Sequence, residues 1–238
     1  MAHSIIYNIK HLYTPNQEPP VRGKQLSSIK ELSDAYISIK DGCIAAIGTN
    51  DYSAHLKKDT ILIDAKEAIA LPGFIDSHSH LVHAGSREYE FQMLRNNTPY
   101  IDILKQGGGI LGTVEKTRKA SMQELYTQAE KSLNTMLEYG VVALEAKSGY
   151  GLNLDDELKQ LKVTKQLHDN HPISIVSTYL GAHAVPKEYK GNEDAFVDEI
   201  LRDLEIVKAE KLATDVDVFC EEGVFSIEQT RKILEKAK

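Results

Sequence analysis

From Leu71 onward, short apolar runs at about 73–77, 141–146, 173–180 and 216–221 alternate with long helical segments. No other feature narrows the fold as much. Parallel strands cannot be joined by a tight turn; they need a crossover, usually a helix. The region therefore reads as four βα units of a parallel α/β arrangement. A closed barrel of such units takes eight of them and typically about 250 residues. Four units make either an open sheet or half of a barrel.

The helices carry their own start and stop signals. Ser121 and Glu124 form a capping box ahead of Leu125, Ala129, Leu133 and Met136, which share one helix face, and Gly140 closes the segment. Ser226 and Gln229 open the last helix in the same way. Phe196, Ile200, Leu204 and Val207 make another stripe, read as a face packed on a sheet. Ahead of Leu71, residues 4–9, 35–40, 43–48 and 60–70 read as short strands, with Asp41-Gly42 as a tight turn. The polar stretch at about 14–34 reads as a loop. Two regions follow, 1–70 as a small β unit and 71–238 as the βα region.

A chain of 238 residues, 42% hydrophobic and 26% charged, can bury a sizeable core. Its net charge of −7, without a concentrated Lys/Arg block, argues against nucleic acid or an anionic membrane as partner. A local arginine can still take a small anionic substrate. No apolar run approaches the roughly 18 residues of a membrane span, and the start lacks the pattern of a signal peptide. A cytoplasmic protein is expected. Cys43 and Cys220 lie far apart in apolar runs, so buried free thiols in a reducing compartment are expected rather than a disulfide.

The chemistry-bearing residues gather at the ends of the apolar runs. Leu71-Pro-Gly-Phe-Ile-Asp-Ser-His-Ser-His80 ends in two histidines at i and i+2, whose imidazoles project to one face together with Asp76. Imidazole suits Zn or Fe, and barrel enzymes place such ligands at the carboxyl ends of strands. The plain alternative is a pair of surface histidines. Arg87 could hold a substrate carboxylate through a bidentate pair, or bridge to Glu88 or Glu90. Lys147 and Tyr150 follow the second strand, and His183 follows the third, where it could equally be a core histidine. Glu221 and Glu222 follow the fourth, and adjacent residues cannot both face one site. Gly107-Gly108-Gly109 lacks the Gly-Lys-Ser/Thr of a phosphate loop and reads as a place where backbone approaches a pocket closely. His83, His168 and His171 show no partner in the sequence, the last two reading as an exposed helix end.

The segment PGFIDSHSH resembles the signature of the amidohydrolase superfamily. With HAGSREYEF, DILKQGGGILGTV, EAKSGYGL, STYLGAHAVPKEY and EEGVFS it resembles the imidazolonepropionases from about residue 71 to the end of the chain. The resemblance implies an α/β fold, the first half of a TIM-like (β/α)8 amidohydrolase barrel, preceded by a segment of a small β-sandwich domain. It implies that His78 and His80 bind one metal ion, Zn or Fe, and that Arg87, Tyr150 and His183 bind substrate. The implied reaction hydrolyses the cyclic amide C–N bond of 4-imidazolone-5-propanoate to N-formimidoyl-L-glutamate, a step of histidine degradation. The superfamily's metal-bridging carboxylated lysine belongs to another branch, so Lys147 is not read as a ligand. The family's remaining ligands, a later histidine and an aspartate acting as acid/base, are expected beyond Lys238. No catalytic acid/base is therefore assigned within the 238 residues. The chain is accordingly expected to be truncated and inactive alone, with exposed edges that favour self-association, a homo-oligomer included. The rival readings are another cyclic amidase or deaminase of the superfamily, and a non-catalytic interaction module that binds no metal.

Overall fold

The computed structural model describes residues 3–16, 20–99, 102 and 108–238. They divide into two compact units, Met1–Pro72 and Gly73–Lys238.

The first unit is a single five-stranded sheet. Strands β1 (His3–Pro15), β2 (Ile29–Lys40) and β3 (Cys43–Thr49) run antiparallel in the order β3-β2-β1, and β4 (Ile61–Asp64) and β5 (Ile69–Ala70) both pair with β1 in parallel. Asp41 and Gly42 both have positive φ, 54° and 80°, the backbone that a two-residue turn needs to match the twist of its flanking strands. Two expectations need correction. The stretch 14–34 is not one loop, because β2 begins at Ile29 and pairs on from Leu32 opposite Leu12 to Ile29 opposite Pro15. That ladder satisfies backbone groups whatever the polarity of the side chains. The apolar run 60–70 is two strands, not one. Lys66 and Glu67 turn it through φ of 51° and 60°, and the Asp64 carboxylate accepts the Lys66 amide at 2.8 Å.

Four parallel strands and six helices make up the described part of the second unit. The sheet runs β6 (Phe74–Ser79), β7 (Val141–Lys147), β8 (Ser174–Ala182), β9 (Asp215–Val218) in that order. The helices are α1 (Glu88–Arg95), α2 (Gly109–Lys119), α3 (Met122–Glu138), α4 (Leu154–Asn170), α5 (Glu193–Ala209) and α6 (Ile227–Ala237). Both predicted capping boxes are present, with Ser121 and Glu124, and Ser226 and Gln229, satisfying each other's backbone. Each such cap contributes about 1 kcal/mol. Leu125, Ala129 and Leu133 are fully buried against Leu144, Ala146, Val163, Leu167 and Ile175. A second cluster is built round Tyr179, Phe196, Ile200, Leu204 and Phe225. Leu144 and Ala146 thus face the helices, and by strand alternation Glu145 and Lys147 face the other side of the sheet.

Cys43 and Cys220 are free as expected, but both are exposed rather than buried. Cys43 opens the edge strand β3 and Cys220 lies past the end of β9, so neither is under a packed layer. No helix among the described residues is long and apolar enough to cross a membrane.

Candidate active site

The loops following β6, β7 and β8 bring His80, Tyr150 and His183 into one aromatic cluster. The His80 and His183 rings stack with centroids 4.5 Å apart, and Tyr150 lies 4.9 Å from the first and 5.2 Å from the second. His78 stands 6.0 Å from His80, and His83 stands 6.0 Å from Tyr150. His83 therefore has partners after all, since its Nδ1 also donates to the His80 carbonyl at 3.0 Å.

The hydrogen bonds fix which nitrogen of each key imidazole carries the proton. His80 Nδ1 donates to the Ser148 carbonyl at 2.9 Å, and His183 Nδ1 donates to the Gly149 carbonyl at 2.8 Å. A carbonyl can only accept, so Nε2 of each neutral ring keeps its lone pair. Burial, followed by the neighbouring His183, depresses the His80 pKa to about 3. Burial likewise lowers those of His183 and His83. The rings are neutral at pH 7, as a ligand or an acceptor must be.

Arg87 reaches the same cluster. Its guanidinium donates from Nε to Thr113 Oγ1 at 2.9 Å and from Nη2 to the Tyr150 hydroxyl at 3.3 Å, and it lies 5.8 Å from the Tyr150 ring centre. Glu90, 4.0 Å away, is the looser of its contacts, and Glu90 is itself held by the Gly109 amide at 2.8 Å. Gly109, at φ 69°, opens α2, so this part of the glycine run serves a helix start beside Arg87. Gly107 lies outside the described residues.

Below the cluster, Lys147 donates to Glu145 at 2.6 Å and to Asp217 at 3.0 Å, while the Thr178 hydroxyl donates to Glu145 at 2.6 Å. Burial opposes the lysine's charge, but the two carboxylates outweigh it and its pKa is raised. Asp76 closes the end of β6 by accepting from the Ser79 hydroxyl at 2.6 Å and the His78 amide at 3.1 Å. Glu221 and Glu222 are exposed in a turn past β9, which ends at Val218.

Beneath the loop 148–152 lies a carboxylate that the sequence reading passed over. Glu157, on α4, is 1% exposed and accepts the amides of Gly149, Gly151 and Leu152 at 3.0, 2.7 and 2.8 Å. Gln160, one turn on, accepts the Tyr150 amide at 3.1 Å and donates to the Val82 carbonyl at 2.6 Å. Arg118 holds the Gly151 and Leu152 carbonyls at 2.7 and 3.1 Å. Among the described residues no group of three or more His, Cys, Asp or Glu is gathered to hold a metal ion.

No family model matches the chain. Over 237 residues it is 47% identical to an imidazolonepropionase of Alkaliphilus oremlandii, and over 238 residues 48% identical to one of Thermoanaerobacter pseudethanolicus. Those alignments cover 98% and 100% of the chain. The chain belongs to the imidazolonepropionase family. It spans 56% and 57% of the length of these two relatives. Among solved structures, a mutant of the atrazine chlorohydrolase TrzN of Arthrobacter aurescens TC1, complexed with zinc and atraton, matches with a TM-score of 0.59. At 15% identity, over 98% of this chain and 50% of that one, this likeness bears on the fold alone.

In this imidazolonepropionase-family chain the five residues singled out from the sequence, His78, His80, Arg87, Tyr150 and His183, lie around one site. The residues that hold them were missed. For Glu157 a signal existed: it shares a helix stripe with Leu161 and Thr164, and no Lys or Arg stands three or four residues away to pair with it. For Glu145 and Asp217 the only sign was a carboxylate within an apolar strand.

Proposed function

We propose that this chain carries the substrate pocket and part of the metal site of an enzyme that hydrolyses 4-imidazolone-5-propanoate to N-formimidoyl-L-glutamate. The observation that carries the reading is the meeting of Arg87, Tyr150, His80 and His183, with both histidines held so that Nε2 is free. On this reading the parallel sheet is the first half of a TIM-like amidohydrolase barrel, residues 71–238, and residues 1–70 contribute to a small β-sandwich domain.

The donor set fits a metal ion in kind. His78 and His80 are imidazoles from one strand end, and His80 gives its other nitrogen to a backbone carbonyl, as metal-binding histidines do. Zinc and iron both suit these donors, and a catalytic ion needs at least one further protein ligand. When bound, the ion supplies Lewis acidity and activates water at neutral pH.

The chain's own residues bind and orient the substrate. The Arg87 guanidinium takes the propanoate carboxylate, and the Tyr150 hydroxyl, already in its reach, shares that contact. His183, with Nδ1 committed to Gly149, presents Nε2 as an acceptor for a ring N–H and so selects the orientation of the imidazolone. Water adds to the ring carbonyl carbon, the C–N bond breaks, and the departing nitrogen takes a proton. Stacked His80 and His183 close one wall of the pocket against bulk water.

The experiment is to supply 4-imidazolone-5-propanoate, and separately a neutral cyclic amide of similar size, to the protein extended to its relatives' length. N-formimidoyl-L-glutamate should form only from the first. Equal turnover of the neutral amide would remove the role given to Arg87 and favour a different cyclic amidase.

A further inference from the structure

The site depends on one loop, residues 148–152, for three separate features. Its Ser148 carbonyl sets the His80 ring, its Gly149 carbonyl sets the His183 ring, and it carries Tyr150. The loop has an unusual backbone, with Gly149 at φ 106° and Leu152 at φ 51°. A Cβ on Gly149 would meet the His183 side chain at 2.9 Å, and one on Gly151 would meet the Glu157 backbone at 2.4 Å. Such a conformation lasts only where its surroundings hold it. Gln160 takes the Tyr150 amide and Arg118 the Gly151 and Leu152 carbonyls, but most of the loop's amides are held by Glu157. The carboxylate accepts three of the loop's amides, and the Ser148 side chain is hydrogen-bonded to it as well. Ser148 Oγ in turn accepts the Leu180 amide at 2.9 Å. One oxygen, Oε1, accepts the Gly151 and Leu152 amides and the other, Oε2, accepts the Gly149 amide, so both are used as acceptors.

We propose that Glu157 is a positioning residue that sets the tautomers of His80 and His183 through the loop 148–152, keeping Nε2 of both rings unprotonated and aimed into the site. A free imidazole slightly prefers its proton on Nε2, and here the two carbonyls of one loop reverse that choice. If the carboxylate is replaced by an amide, its NH2 group faces an inward-pointing N–H, and the loop must move to relieve the donor–donor contact. The carbonyls move with it. What the histidines are held for rests on the hydrolase reading, but the tautomers do not, so they are measured apart from any activity.

The test is nitrogen-15 NMR of the histidine rings, on the full chain treated with chelator so that no metal imposes the tautomer. In the unaltered protein both rings should show a protonated Nδ1 and a bare Nε2. In Glu157→Gln both should move to the Nε2-protonated form, while the cores away from the loop keep their spectrum. An Nε2-protonated ring for either histidine in the unaltered protein would overturn the proposal without any variant. So would unchanged ring signals in a folded Glu157→Gln protein. Should that variant not fold, Glu157→Asp keeps a carboxylate that is one methylene short, and it should leave both rings as a mixture of tautomers; unaltered rings would again overturn the proposal. In the active protein, outer-shell changes of this kind typically lower metal affinity or activity by about 10–100-fold. Loss of the tautomers with no detectable hydrolysis in any form would leave the positioning role standing and sink the hydrolase reading instead.

Discussion

Removing the Tyr150 hydroxyl takes away a partner of the Arg87 guanidinium while sparing the ring that packs on His80 and His183. A hydrogen bond to a charged group contributes about 1.5–3 kcal/mol, so Tyr150→Phe should raise KM for 4-imidazolone-5-propanoate by about 10–100-fold. Steady-state kinetics with an unchanged KM would exclude the hydroxyl from the pocket. Asp203 offers a test of stability at the same scale. Burial, then the nearby Glu199, raise its pKa to about 6, and the Tyr179 hydroxyl donates to it at 3.4 Å. A carboxyl with a raised folded pKa contributes stability below its ordinary value near 3.9, which is lost as pH rises through about 6. Asp203→Asn keeps an acceptor for Tyr179 and removes the buried charge. It should raise stability by on the order of 1–2 kcal/mol at pH 7.5 and change it little at pH 4; an equal shift in Tm at both values would contradict this. That His80, Tyr150 and His183 would gather was legible because each follows the end of a strand, and their rings do come together. Asp217 was not legible, because its partner Lys147 lies on another strand and only the folded chain brings the two together.

At the scale of elements, the helices were read more closely than the strands of the first unit. A capping box is a local signal: Ser121 and Glu124 need only each other and four residues of backbone. Ser121→Ala should cost about 1 kcal/mol, while Leu133→Ala, which empties a fully buried position beneath α3, should cost about 2–5 kcal/mol. Chemical denaturation of the two variants would show whether the larger loss falls at Leu133, as the packing requires. The strands of the first unit depend on pairing across the sheet. Residues 29–34 look like loop because Lys30, Glu31, Ser33 and Asp34 are polar, yet Ser33 is held opposite His11 and Leu32 opposite Leu12. Register of this kind is decided by the partner strand, which no local pattern reveals. The split of 60–70 has the same origin, since the turn at Lys66 and Glu67 lies against the bulge at Asn8, whose carbonyl accepts the Glu67 amide at 2.9 Å.

For the molecule as a whole, the alternation of strand and helix from residue 71 was enough to read a parallel sheet, and the structure has that sheet with four strands. An eight-stranded barrel would take four more, and a metal site would take ligands beyond His78 and His80. A polypeptide of these 238 residues alone should therefore self-associate through the exposed Phe74 and Ile75 of the end strand β6, which sedimentation would detect. It should also bind metal weakly. One measurement tests the proposed metal-dependent hydrolysis most directly: turnover of 4-imidazolone-5-propanoate, with bound metal quantified in the same sample, for the 238 residues alone, for the protein extended to its relatives' length, and for the extended protein carrying His78→Ala and His80→Ala. Stoichiometric metal and turnover in the extended protein, both lost in the double variant and both absent from the 238 residues alone, is the predicted result. Turnover that survives loss of both histidines, or an extended protein that binds no metal, would contradict it.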